Sequence, residues 1–230
     1  MSINKFLGYY LDKNQKVLSI MGPSGTGKSF SADFLCENLG YNIASQITTR
    51  APRLDDKHYS YMSREEFVKL EQEGKILGLF SGNRETLDGN GYGYLLEKVL
   101  DELRDKKRII LFPSAYELEK SNFRSQYGTT DKIGLGFKNS QSVIERASQC
   151  NKELSPEELQ SRVEVAKILT HIMEKYSLLG DKTFTLIYSD NGAPTLKASK
   201  SVQLGQILHT IGYNPSNFEN NIEEFINREA

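Results

Sequence analysis

Long apolar runs are missing from this chain. No stretch approaches the ~20 residues that span a bilayer. The opening MSINKFLGYYLDKNQK holds no extended apolar block of the kind that starts a secretory leader. A soluble protein without leader or membrane association is expected. Cysteine is scarce. The two present, Cys36 and Cys150, offer neither metal spacing nor a disulfide framework, and a cytoplasmic, reducing setting is expected. An excess of one charge is missing too: 29 Lys and Arg stand against 30 Asp and Glu, for a net charge of −1. Bulk charge therefore does not favour a nucleic-acid polymer, and any anion must be held by local clusters. His58 and His171 lack partners at usable spacing for metal or base chemistry and read as surface or packing residues. No internal repeat and no low-complexity block interrupts the chain. What remains is an ordinary globular mixture, 38% hydrophobic and 26% charged over 230 residues, enough for a substantial α/β core.

The strongest local signal lies near the start. Lys16–Met21, KVLSIM, reads as a short buried strand and runs into Gly22-Pro23-Ser24-Gly25-Thr26-Gly27-Lys28-Ser29. This fills G-x-x-x-x-G-K-[ST] in the strand–loop–helix setting the motif requires. The helix that follows places Phe30, Phe34, Leu35 and Leu39 at helical spacing and stops at Gly40. Each residue type has a physical reason. Gly22, Gly25 and Gly27 let the backbone curl so that several N–H groups face one anion. The helix start adds partial positive charge. Lys28 supplies a point charge for β- and γ-phosphates, and Ser29 a hydroxyl for Mg²⁺. The loop predicts an ATP-type nucleoside triphosphate with Mg²⁺.

Other phosphate-loop classes fit less well. The second apolar strand, Arg108–Phe112, runs into Pro113-Ser114, without the carboxylate that a motor-type ATPase sets there for Mg²⁺. Asn151-Lys152-Glu153-Leu154 begins a GTPase base-reading motif and fails at its fourth position. Gly89, Gly91 and Gly93 do not form a dinucleotide fingerprint, because no helix start of the right spacing follows a buried strand. Thr48-Thr49-Arg50-Ala51-Pro52-Arg53, in contrast, sets two guanidinium groups three residues apart across a proline that forces an extended or turn backbone. Such a pair suits a phosphate.

Together, GPSGTGKS at 22–29, TTRAPR at 48–53, YSYMSREEF at 59–67, GNGYGY at 89–94 and a later helix pair carrying Arg146 and Arg162 resemble the guanylate kinase family from about Val17 to Ile207. The resemblance implies an α/β P-loop NTPase three-layer sandwich with a parallel sheet, an inserted acceptor-binding subdomain and a helical lid. It implies that Gly22 to Ser29 bind ATP and that Arg50, Arg53, Tyr59 and Tyr92 hold the acceptor phosphate, with Gln46, Tyr94 and Ser114 at family positions around the acceptor. Lys28, Arg50, Arg146 and Arg162 are then the catalytic cations, and Ser29 the metal ligand.

The guanine readers of that family are altered. Gly78 stands where a Glu is expected, Tyr94 where a small hydroxyl is expected, and Pro113-Ser114 where an Asp is expected. Each base N–H left without an acceptor costs ~1–3 kcal/mol. Glu85, in a loop longer than the family's, is the candidate substitute. This pattern of kept clamp and lost readers is loosely similar to the ribose 1,5-bisphosphate kinases. Where the family's lid carries a further arginine, this chain has Gln149 or Lys152.

The expected organisation is one domain over 1–230. Its core comprises 14–47, 95–139 and 180–212, its acceptor subdomain 48–94, its lid 140–177 and a C-terminal extension 213–230. Core strands are expected near 17–21, 108–112, 132–137 and 183–188, and helices near 29–39, 95–106, 140–149 and 196–211. Ser63 with Glu66, and Ser155 with Pro156, mark two further helix starts. The extension SNFENNIEEFINREA reads as an accessory helix or a loose tail. The expected activity is transfer of the γ-phosphate of ATP to the phosphate of a small phosphorylated acceptor by a monomer or homodimer. Alternatives are an authentic guanylate kinase with rebuilt base contacts, and a non-catalytic module of the same shape.

Overall fold

The structure is a computed structural model that describes residues 16–52, 58–106, 108–119, 130–150, 155–190, 193 and 195–228, with the backbone alone at 146–150. In chain order its elements are β1 (Lys16–Met21), α1 (Lys28–Leu39), β2 (Asn42–Ile43), β3 (Gln46–Thr48), β4 (Tyr59–Tyr61), α2 (Arg64–Gln72), β5 (Ile76–Ser81), β6 (Asn90–Leu95), α3 (Leu96–Lys106), β7 (Arg108–Leu111), a 3-10 turn (Ala115–Glu119), β8 (Asp131–Gly136), α4 (Ser140–Cys150), α5 (Pro156–Leu178), β9 (Phe184–Tyr188), α6 (Leu196–Thr210), a second 3-10 turn (Pro215–Phe218) and α7 (Glu219–Arg228). The core strands and their helices fall within one residue of the expected positions. The protein is α/β, and two compact units can be distinguished: residues up to Ser19 with Tyr41–Thr130, and Ile20–Gly40 with Asp131–Ala230.

In the first unit β7 pairs in parallel with β1 (Val17 beside Ile109, Ser19 beside Leu111) and with β2. Ile109, Ile110 and Leu111 are all fully buried, the unbroken apolar run of a parallel strand covered on both faces. A second sheet runs β4-β3-β6-β5. Its β3–β4 pair is parallel, while β3–β6 and β5–β6 are antiparallel. Phe67 and Val68 of α2 pack on Ile47, Ile76 and Phe80 of that sheet. Ser63 starts α2 by accepting the Glu66 N–H at 3.1 Å.

In the second unit β8 and β9 pair in parallel from Lys132–Phe184 to Gly136–Tyr188. Helices α4 and α5 meet through Val143, Val163 and Ala166 over Phe137. Ser155 and Glu158 form a full capping box at the start of α5, with Pro156 in the first turn. The C-terminal segment forms a docked helix rather than a loose tail. Ile222, Phe225 and Ile226 are buried, and the Phe225 ring lies 5.1 and 5.4 Å from those of Phe30 and Phe34 on α1. Arg228 pairs with Glu37 at 2.5 Å, and Asn221 bonds Asn38 at 2.7 Å.

Candidate active site: a phosphate loop and an arginine–tyrosine strip

The loop belongs to the second unit. β1 ends in the fully buried Ile20 and Met21, and the chain turns through Gly22–Gly27 into α1. A Cβ at Gly22 would run into the Leu135 carbonyl of β8, so only glycine fits there. Gly25 and Gly27 adopt φ of +83° and +85°, the left-handed region that favours glycine. Thr26 is fully buried and donates its hydroxyl to Pro23 O at 2.9 Å, closing the turn. Gly27 caps α1 without a side chain, and no acidic residue stands in the first turn. No side chain therefore caps the first-turn amides of α1. Lys28 Nζ donates to the carbonyls of Gly22 and Pro23, each at 2.8 Å. Desolvation lowers its pKa to about 8. Ser24 and Ser29 are exposed.

Residues distant in sequence support this loop. Ser189, just past β9, donates its hydroxyl to Thr26 O at 2.9 Å. Gln203 on α6 donates to Thr26 O at 3.1 Å and to Ser31 Oγ at 3.0 Å. The sequence reading missed both. The available signal was polar Ser199 and Gln203 on the α6 face that buries Leu204 and Ile207. Arg162 sits half-buried on α5. Arg146 lies on α4 where the backbone alone is described, as does Gln149, and Lys152 falls outside the described residues. Among the described residues no group of three or more His, Cys, Asp or Glu is placed to hold a metal ion. None of the described helices is long and apolar enough to cross a membrane.

The strip belongs to the first unit. β3 and β6 stitch the Thr48-Thr49 segment in place. Thr48 Oγ1 donates to Gly91 O at 2.9 Å, Thr49 N donates to the same oxygen at 3.1 Å, and Gly91 N donates to Thr49 Oγ1 at 2.8 Å. Arg50 follows directly. Its Nη1 donates to Ala51 O at 2.9 Å, and its guanidinium carbon lies 4.9 Å from the Tyr59 ring centroid. The structure therefore brings Arg50 and Tyr59 together. Tyr92 stands on β6 opposite Thr48 and Leu79, half-buried. Arg53 lies outside the described residues.

Gln46 and Tyr94 both bond the backbone of Phe112, and Ser114 follows two residues on. Gln46 is 6% exposed, and its side-chain amide donates to Phe112 O at 3.3 Å. Tyr94 is 1% exposed, and its hydroxyl accepts the Phe112 N–H at 2.5 Å. Burial pushes that phenol far above its ordinary pKa. These two side chains thus grip both sides of Phe112 at the end of β7. Ser114 N donates to Glu117 Oε1 at 2.9 Å. Glu117 is a buried carboxylate that the sequence reading also missed, three residues beyond where the resemblance asks for an acid.

Packing fixes the altered positions. Gly78 and Gly93 face each other across β5 and β6. A Cβ at Gly78 would strike the Tyr92 carbonyl, and one at Gly91 would sit 2.7 Å from the Phe67 ring. The long loop is tied to α2: Arg84 makes two bonds to Glu71 at 3.1 Å, and Arg64 Nη1 donates to Leu87 O at 3.0 Å. Asn83 Oδ1 accepts the Glu85 N–H at 2.8 Å and leaves the Glu85 side chain exposed. His58 and His171 are both exposed.

No family model matches the chain. It is similar to curated guanylate kinases: 31% identical over 107 residues to that of Malacoplasma penetrans, covering 44% of this chain and 51% of the relative. It is 35% identical over 98 residues to that of Clostridium tetani, covering 41% and 45%. The chain thus spans about half the length of the curated relatives it matches. In three dimensions it resembles the crystal structure of guanylate kinase from Anaplasma phagocytophilum, with a TM-score of 0.54 over 87% of this chain and 86% of that one, at 16% identity. The fold is guanylate kinase-like, of the P-loop type.

Proposed function

We propose that this protein is an ATP-dependent phosphotransferase that moves the γ-phosphate of ATP to the phosphate of a small phosphorylated acceptor. The observation that carries this reading is the complete loop Gly22–Ser29, with Lys28 beside helix amides that no side chain caps. Non-catalytic relatives of this shape typically lose the loop; here both Lys28 and Ser29 are present.

The chemistry asks little covalent help. An oxygen of the acceptor phosphate, already ionised near neutral pH, attacks the γ-phosphorus. The bond to the β,γ-bridging oxygen breaks and ADP leaves. No proton has to be removed from the nucleophile, so no general base is required. Positioning and charge neutralisation remain. Lys28 and the amides of residues 22–29 hold the triphosphate. Mg²⁺ takes oxygen ligands chiefly from phosphates and water, and the exposed Ser29 hydroxyl suits it as the single protein ligand. Bound there, the ion would supply positive charge to neutralise the triphosphate. Arg50, ordered over Tyr59, orients the acceptor phosphate with Arg53 and Tyr92. Arg146 and Arg162 neutralise the transferring group from the lid.

For the acceptor we favour a phosphate ester without a guanine-specific pocket. Gly78 supports this, since the backbone of Tyr92 leaves no room there for any side chain, let alone a base-reading carboxylate. The second reading, an authentic guanylate kinase with rebuilt contacts, is supported by the curated relatives. A coupled ADP-release screen with Mg²⁺ and ATP against nucleoside monophosphates and ribose phosphates separates them. Turnover above the ATP-only background with a phosphorylated acceptor supports the transferase. GMP as the preferred acceptor at ordinary enzyme rates overturns the preference against guanine, and background rates throughout overturn the transferase itself.

A further inference from the structure

We infer that Gln203 is a positioning residue of the phosphate loop, holding the Thr26–Gly27 peptide from behind so that its N–H faces the anion. The inference rests on the reading of residues 22–29 as a triphosphate cradle. The loop is built from glycines, and Gly25 and Gly27 lie in the left-handed region where backbone freedom is greatest. A cradle of amides binds well only if those amides are already aimed. Something outside the loop has to fix them.

The Thr26 carbonyl is where this happens. It accepts from Ser189 Oγ at 2.9 Å and from Gln203 Nε2 at 3.1 Å. A trans peptide is planar, so its C=O and the following N–H point in opposite directions. Two donors holding Thr26 O therefore turn the Gly27 N–H toward the opposite side. Gln203 Nε2 also donates to Ser31 Oγ at 3.0 Å, which ties the same amide to the first turns of α1. A Cβ at Gly27 would come within 2.9 Å of Nε2, so the loop and the amide are in direct contact. Ser199 Oγ donates to Ser189 O, joining the second donor to the same helix. All of these groups lie in the second unit.

The amide pays for its place with an unpartnered buried atom. Gln203 is 1% exposed, and its Oε1 has no hydrogen-bond partner. A carbonyl can only accept, so the NH₂ end must face Thr26 O, and the oxygen takes what remains. Buried polar groups left like this cost stability. Positioning of the loop explains why the chain keeps a donor here, where an apolar residue would continue the buried stripe of α6.

The test uses the full chain, with MgATP binding measured by calorimetry and melting measured without nucleotide. Gln203→Met keeps the length and removes both donors; MgATP affinity is expected to fall ~10-fold. Gln203→Glu places a carboxylate against Thr26 O at pH 8 and is expected to lose more. Its affinity relative to wild type should recover several-fold by pH 5.5, as the protonated acid regains a donor. With ATP saturating, kcat should stay within about threefold for both variants. A side chain that only fills space would show neither the pH recovery nor the split between ATP affinity and kcat. Folded Gln203→Met that binds MgATP within twofold of wild type overturns the inference, and this variant decides alone if Gln203→Glu does not fold. A wild-type chain that binds no triphosphate overturns the cradle reading, and the positioning role with it.

Discussion

Lys28 carries a cation that burial desolvates, and this predicts that the proposed triphosphate binding is proton-linked. Its pKa without ligand is lowered to about 8 by burial. Phosphate oxygens around the ammonium favour the charged form and raise that pKa on binding. Below pH 8 the lysine is protonated in both states and contributes its full attraction. Above pH 8 binding must take up a proton, so ATP affinity should fall up to tenfold per pH unit. Calorimetry in two buffers of different ionisation heat checks the proton uptake directly, and Lys28→Met should remove it along with most of the affinity. Arg50 makes a separable prediction. Its guanidinium lies over Tyr59 and beside the Ala51 carbonyl, in a unit that does not contain the loop. Arg50→Ala should raise the acceptor KM by 10-fold or more and leave ATP binding within about twofold. A fall in ATP affinity with acceptor KM unchanged would show that the two roles are assigned to the wrong residues.

At the scale of elements, the β8–β9 pair is anchored at its start by a buried charge. Lys132 is fully buried on β8; its Nζ donates to Thr183 Oγ1 at 2.6 Å and lies 3.6 Å from Asp181 Oδ2. Burial alone would raise the Asp181 pKa. The Thr183 hydroxyl and N–H, the Tyr176 hydroxyl and the Lys132 charge outweigh it and hold that pKa at about 2. A depressed carboxyl stabilises the fold above its unfolded pKa, and that stability is lost as pH falls. Between about pH 4 and pH 2 the second unit should lose ~2 kcal/mol from this group. Asp181→Asn should flatten that part of the acid-unfolding curve, and a slope equal to wild type would count against the assignment. The same elements show what local sequence carries. Ser155, Pro156 and Glu158 lie within four residues, so the start of α5 is legible from spacing alone. Lys132 meets Asp181 and Thr183 about fifty residues away, and no local pattern marks a lysine for burial. Glu117 shows the same limit, because its inward turn onto Ser114 depends on the 3-10 geometry after β7.

On the scale of the whole molecule, the residues proposed to serve donor and acceptor divide between the two units. Gly22–Ser29, Arg162 and Gln203 fall in one, while Gln46, Arg50, Tyr59, Tyr92 and Ser114 fall in the other. The loop Gly22–Ser29 and the Thr48–Arg50 segment stand out in the sequence because each is a short contiguous motif. The supports of the loop do not, because the bonds from Ser189 and Gln203 to Thr26 span more than 160 residues. The division gives a prediction that single variants do not. A ligand that binds the folded state slows amide exchange where it orders the backbone. MgATP alone should protect residues 22–31 and the α6 face that carries Gln203, and leave β3 and β6 close to their ligand-free exchange. A phosphorylated acceptor alone should protect 46–50 and 90–94 and leave α1 unchanged. Hydrogen-exchange mass spectrometry on the full chain reads both patterns in one experiment. Equal protection of both segments by MgATP alone would mean that the donor occupies the arginine strip as well, and the acceptor role of Arg50 would have to be given up.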